Sequence, residues 1–193
     1  MAKKVRDQQA FLKETVGRPL TSEEMLEILN TNCTYEEAKS RLQERARIRS
    51  AADQIKERPL EAWPAFDVRW DLSPANFYRV FDGADPDSIE ENECVVIPDV
   101  LLENIDAALT PWWHRTAAQV WSIGDPNKAA RAIVHWSEGG LMTPPLLAPT
   151  SDGQLVIAGG NHRLAVARAK GVIRLPILVK SAEQARVRQI LKI

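Results

Sequence analysis

The run Gln154-Leu-Val-Ile-Ala158, followed at once by Gly159-Gly-Asn-His-Arg163 and then by Leu164-Ala-Val-Ala-Arg-Ala-Lys-Gly171, decides the reading of this chain. The first five residues are a short apolar segment of the kind that forms a buried strand. Leu164, Ala165, Ala167, Arg168 and Ala169 continue a helix that Gly171 closes. Between them, paired glycines let the backbone take positive φ and approach a ligand closely. Asn161 can cap the helix, whose first N–H groups then point at an open site and favour an anion. His162 and Arg163 stand in the first turn, where a donor and a fixed cation can grip phosphate oxygens. A Gly-Gly turn before a helix is also plain punctuation. The mark of a site is the arginine, because a cation at a helix start opposes the macrodipole unless an anion meets both.

The pattern extends outward on both sides. Pro144-Pro-Leu-Leu-Ala148 reads as a strand and Ser151-Asp-Gly153 as a tight turn, so residues 144–158 form a hairpin. Leu175-Pro-Ile-Leu-Val179 is a further strand, and Ala182 to Leu191 is a basic amphipathic helix. Upstream, Cys94-Val-Val-Ile97 is a strand that Pro98 stops, and Asp99 to Leu109 is helix-compatible. Asp125-Pro126 is a cap followed by a first-turn proline, opening a helix to about Trp136 that Gly139-Gly140 ends. The fold class is α/β (α+β): a compact domain with a short mixed sheet over residues 91–193, preceded by a helical N-terminal extension.

That extension spans residues 1–60. Asp7 to Val16 is a short helix. Thr21-Ser-Glu-Glu24 and Thr34-Tyr-Glu-Glu37 are capping boxes opening two more. Met25, Ile28 and Leu29 form one apolar face; Ala38, Leu42, Ala46 and Ile48 form the next, on a helix to about Lys56. Arg41, Arg45, Arg47 and Arg49 make the later half basic. The pair is either a helix-turn-helix laid on DNA or a helical hairpin with a solvated charged face. Residues 61–90 read as a connector broken by Pro64 and Pro74. Its Trp63, Phe66, Trp70, Phe77 and Phe81 are core or docking residues, and Asp82–Asp87 is a loop.

Composition excludes several classes. The chain has 193 residues, 45% hydrophobic, with no apolar run near the roughly 20 residues that span a bilayer. The N-terminus leads into a polar stretch and not the apolar core of a secretory signal, so a cytoplasmic location is expected. Cys33 and Cys94 lie far apart without metal-ligand spacing, which argues against a zinc site or a disulfide framework. The net charge of −1 hides a split. Residues 82–106 carry nine acids and no Lys or Arg, whereas residues 161–193 carry eight bases against Glu183. Either the basic segment is a phosphate or DNA face, or the two segments are neighbours that neutralise each other.

The ordered series Ile133, Gly140-Leu141, Pro144-Pro-Leu-Leu147, Asp152-Gly-Gln-Leu-Val-Ile157, Gly160-Asn-His-Arg-Leu-Ala-Val-Ala167, Gly171-Val172 and Leu175-Pro-Ile-Leu-Val179 resembles the ParB/sulfiredoxin superfamily, the ParB-like nuclease domain, over about residues 94–192. The resemblance implies a domain that binds ATP or another nucleoside triphosphate, with phosphates on Gly159, Gly160, Asn161, His162 and Arg163. Sulfiredoxins also use a lysine in the helix before the Pro-Pro strand; counting back from Pro144 places Lys128 there, with Arg131 and His135 on succeeding turns. Two departures matter. Sulfiredoxins carry a catalytic cysteine where this chain has Asn161, which argues against peroxiredoxin repair. Partition proteins carry a more basic signature, which argues against a segregation clamp. Small members of the superfamily on conjugative plasmids, of the fertility-inhibition and oncogenic-suppression type, have a compatible size.

Two functions follow as expectations. The first is an enzyme that hydrolyses ATP and binds or cleaves DNA non-specifically, acting on plasmid DNA or its conjugative transfer. His162, Arg163 and Glu138 would be catalytic, and Glu138 and Asp152 would hold a divalent metal, Mg2+ by expectation. Arg168, Lys170, Arg186, Arg188 and Lys192 would carry the DNA. The second is a non-catalytic, nucleotide-sensing adaptor that inhibits a DNA-transfer or partition machine by protein contact. Trp112-Trp113-His114 and the acidic 82–106 segment would be its partner surface.

Overall fold

A computed structural model describes residues 17–81, 83–88, 90 and 92–193. The predicted helix Asp7–Val16 lies outside the described residues. The chain divides after Ala51 into two compact units. Among the described residues no helix is long and apolar enough to cross a membrane.

The first unit pairs α1 (Ser22–Thr31) with α2 (Tyr35–Ile55), a helix that runs on across the unit boundary. Both capping boxes form. The Thr21 hydroxyl accepts from the Glu24 N–H at 3.2 Å, and the Glu24 carboxylate accepts from the Thr21 N–H at 2.8 Å. Thr34 and Glu37 repeat the exchange at 3.3 and 2.8 Å. The buried face of α1 differs from the predicted stripe. Glu24, Glu27 and Ile28 are buried, while Leu29 is exposed. Two helices alone enclose little apolar volume, and the inward acids are satisfied by cations instead. Arg18 pairs with Glu24, Arg45 with Glu27 at 2.7 Å, and Arg47 with Glu44. Arginines read as a basic helix face are in this way engaged within the unit.

The second unit is built on a four-stranded mixed sheet of order β1-β4-β2-β3, with β1 Cys94–Leu101, β2 Leu146–Pro149, β3 Leu155–Gly159 and β4 Arg174–Lys180. The predicted hairpin is β2 antiparallel to β3. β4 is central, antiparallel to β1 and parallel to β2. Its side chains alternate as a strand requires: Leu175, Ile177 and Val179 enter one core and Leu178 the other. The first core is covered by α3 (Leu102–Ala108) and the C-terminal helix α6 (Gln184–Leu191), through Ile105, Val187 and Leu191. The second is covered by the 3-10 segment Pro74–Val80, through Phe77 and Val80. Between lie α4 (Pro126–Ser137) and α5 (Asn161–Ala169), which share a third core.

Two sequence expectations are corrected here. Pro98 does not stop its strand. The ladder slips between Ile97 and Val100, so Pro98 and Asp99 bulge opposite Pro176, where neither proline owes a ladder hydrogen bond. Asp99 takes φ 55° at the bulge. Nor is 61–90 a connector outside the domain. Trp121, Trp63, Phe66, Trp136 and Trp70 form a continuous aromatic ladder with centroid spacings of 5.5–6.4 Å. The Trp136 indole N–H donates to the Arg69 carbonyl at 2.8 Å. These contacts pack the segment into the second unit.

The Glu24 lock makes the first unit acid-sensitive. The Arg18 guanidinium, then the Thr21 N–H, hold the Glu24 carboxyl down from 4.5 to about 2. A depressed folded value means that this stabilisation is complete above about pH 4.5 and is lost as pH falls toward 2. The backbone chemical shifts of Ser22–Thr31 are expected to move toward coil values across that window, and Glu24→Gln is expected to remove most of the pH dependence. A helix equally formed at pH 5 and pH 2 would refute the lock.

Candidate phosphate site

The passage from β3 to α5 takes two residues. Gly160 is the N-cap of α5 with φ 77°, and Asn161 is already helical, so the glycine takes the place predicted for Asn161. No side chain caps this first turn. By contrast, Asp125 caps α4, accepting from the Asn127 N–H at 2.9 Å. A Cβ is blocked at Gly159 and crowded at Gly160. At Gly159 it would lie 2.3 Å from the Val80 carbonyl oxygen, and at Gly160 3.0 Å from the Pro145 Cα.

Arg163 folds back beneath the turn. Its guanidinium lies beside Gly160, donates to the Thr143 carbonyl, and reaches the Arg79 carbonyl at 3.4 Å. Both carbonyls orient the guanidinium. A positioned cation and the N–H end of a nine-residue helix therefore share one spot. His162 faces the start of α4, its ring against Gly124 and close enough to Asp125 to help depress that carboxyl. The larger cause at Asp125 is the backbone N–H of Asn127. The first turns of α4 and α5 thus meet, and the exposed Lys128 stands in the first turn of α4. Arg131 bends back to the same end, to Asp125 at 3.7 Å and the Asn127 carbonyl at 3.2 Å. Gly159, Gly160, Asn161, His162, Arg163, Lys128 and Arg131 are brought to one region. His135 is not; its Nε2 sits 3.0 Å from the Leu141 carbonyl at the far end of α4.

The carboxylates read as metal ligands are not brought there either. Glu138 is the C-cap of α4. Twelve helical residues put it about 18 Å along the axis from the end that meets His162. Asp152 lies in the β2–β3 turn, about five strand residues, or roughly 17 Å, from Gly160. Among the described residues no group of three or more His, Cys, Asp or Glu converges on a common point. The carboxylate that does adjoin the turn is Asp125, which sequence reading took only as a cap.

The basic segment is also corrected. Arg168 is buried and forms a bidentate pair with Asp106, so it is not a DNA contact. Arg174 pairs with Asp99 at 3.0 Å and Lys180 with Glu93 at 3.2 Å. The acidic and basic segments are neighbours because β1 and β4 are paired. Of the remaining cations, Lys170 lies 4.6 Å over the Phe66 ring and Arg186 donates to the carbonyls of Thr150 and Ser151, while Arg188 and Lys192 lie on and just after α6. Cys94 is buried beside Phe77, Leu146 and Leu178, and burial pushes its thiol up, away from a nucleophilic thiolate. Trp112 is exposed at 77%, whereas Trp113 packs on the first core and His114 holds the Leu109 carbonyl at 2.8 Å.

No protein-family model matches the chain, and no curated protein or solved structure is significantly similar to it.

The turn is predicted to tolerate no side chain. Gly159→Ala should cost about 1–3 kcal/mol, since the obstructing atom is backbone. Gly153→Ala, with open space around it, should cost only about 1–2 kcal/mol for its left-handed φ. Urea unfolding of the two variants checks the order, and a Gly159→Ala protein as stable as the parent would mean that Val80 does not abut the turn.

Proposed function

We propose that this protein binds a nucleoside triphosphate with its phosphates at the start of α5, and that it works as a nucleotide-sensing binding module. The observation that carries this reading is the α5 first turn: its N-cap is Gly160, which has no side chain to cap it, and the Arg163 guanidinium is held beside it by the carbonyls of Thr143 and Arg79. A helix N-terminus and a guanidinium share this spot, and a phosphate is a ligand that both favour. The resemblance to ParB/sulfiredoxin domains supports the same placement, with Lys128 reaching the ligand from the adjoining helix start.

The adaptor reading is favoured over an ATPase and DNase built on Glu138 and Asp152. Phosphoryl transfer and metal-assisted cleavage need a carboxylate at the reacting phosphate. Glu138 and Asp152 stand at the far ends of the elements that build the turn. A Mg2+ carried with the nucleotide would find Asp125 as the nearest carboxylate. Of the five cations read as a DNA face, Arg168 is buried against Asp106. The partner in this reading is a component of a conjugative-transfer or partition machine, met by protein contact, and Trp112 is the exposed aromatic for it.

Calorimetric titration with ATP and CTP tests the site. Arg163→Ala should weaken binding by about 1.5–3 kcal/mol, roughly 10- to 150-fold. Glu138→Ala and Asp152→Ala should leave affinity within about two-fold of the parent. Unchanged affinity in a folded Arg163→Ala protein would sink the site. Steady phosphate release that disappears in Glu138→Ala or Asp152→Ala would restore the enzymatic reading.

A further inference from the structure

A recess of about 380 Å3 opens at the other end of α5, beside its last residue, Ala169. Its volume is at the small end of the range for ligand pockets, about 300–1,000 Å3. Trp63, Val120, Trp121 and Ala118 supply apolar walls, and the exposed Glu57 and Arg58 also line it. The two indoles meet edge to face, with centroids 5.6 Å apart and planes at 75°. Both indole N–H groups donate to the same acceptor, the Arg58 carbonyl, at 3.1 and 2.9 Å. The polar demand of the aromatic walls is met from within, so they offer a ligand ring faces and C–H edges only.

The charged pair of the lining breaks local rules. Glu57 takes φ 61° just past the end of α2, a left-handed position that usually goes to Gly or Asn. An acid there also faces the negative end of the helix dipole. Among the described residues neither Glu57 nor Arg58 forms an ion pair. Two opposite charges, adjacent in sequence, therefore belong to the lining of an apolar recess, and neither is spent on an ion pair among the described residues.

We propose that this recess binds a free amino acid with a large apolar side chain. The side chain lies against Trp63, Trp121 and Val120, the ammonium meets Glu57 and the carboxylate meets Arg58. A zwitterion with an apolar body matches both the charges and the small volume; an uncharged apolar ligand would leave the charged pair without a role. The site is separate from the Gly160 turn and does not depend on the nucleotide reading.

Isothermal titration of the full chain with L-leucine, L-phenylalanine and L-tryptophan tests it, alongside N-acetyl-phenylalanine and phenylalanine amide as charge-blocked probes. Saturable binding in about the micromolar to millimolar range is expected for the free amino acids. Each blocked probe should bind at least about ten-fold more weakly, as expected when a charge-assisted contact is lost. Glu57→Gln should erase the discrimination against the acetylated probe and Arg58→Met that against the amide, both leaving the Arg58 carbonyl in place. Ala118→Leu, which fills the recess, should abolish binding in a protein whose circular dichroism is unchanged. Equal binding of free and blocked probes would reduce the site to a plain apolar patch, and no saturable heat with any free amino acid would overturn the proposal outright.

Discussion

The second unit depends on one steric constraint: the chain must leave β3 and enter α5 through Gly159, where a side chain would strike backbone, and Gly160, where the backbone is left-handed and crowded. The Val80 carbonyl closes one side of Gly159, and Pro145 closes one side of Gly160. This crowding sets the angle at which α5 leaves the sheet. That angle lays Leu164 in the core under the sheet and Ala165 and Val166 in the core shared with α4. It also turns Arg163 back onto the carbonyls of Thr143 and Arg79. The candidate site is a by-product of the same geometry that joins hairpin to helix, and the cation there is fixed by backbone from two distant stretches of chain.

Electrostatics in this molecule are resolved by pairing between segments. The nine acids of residues 82–106 and the eight bases of 161–193 look on paper like two fields. Strand pairing of β1 with β4 brings Asp99 to Arg174 and Glu93 to Lys180. Packing of α3 near α5 brings Asp106 to Arg168, the most buried of these cations. Exposed pairs of this kind contribute about 0–1 kcal/mol. Removing Asp106 alone would leave the Arg168 charge buried without its partner, which is far costlier.

Features written in adjacent residues were legible in the sequence. Both capping boxes, the Asp125-Pro126 start, the Ser151-Asp-Gly153 turn and the strand–Gly-Gly–helix unit depend on contacts within a few residues, and each forms near its expected position. What escaped depends on partners far along the chain. Pro98 looks like a stop until Pro176 lies opposite it. Residues 61–90 look like a linker until Trp63, Phe66 and Trp70 find Trp121 and Trp136. Arg168 looks like a surface cation until Asp106, 62 residues away, reaches it. The strand-to-helix turn at Gly159 to Arg163 was readable from its spacing, whereas the placement of Glu138 and Asp152 required knowing which end of each element faces the turn.

The central position of β4 has a consequence for how the molecule is made. β4 is the last strand in chain order, yet it alone joins β1 to the β2–β3 hairpin. Its pairing with β1 closes a loop of about eighty residues, a slow, non-local step in the assembly of any sheet. During synthesis, β1 and the hairpin emerge first and must wait with open hydrogen-bonding edges until β4 follows. The Pro98–Asp99 bulge lies on the waiting edge of β1. A bulge at this place interrupts the ladder that a foreign strand would need, so the same residues that shape the finished sheet guard the unfinished one.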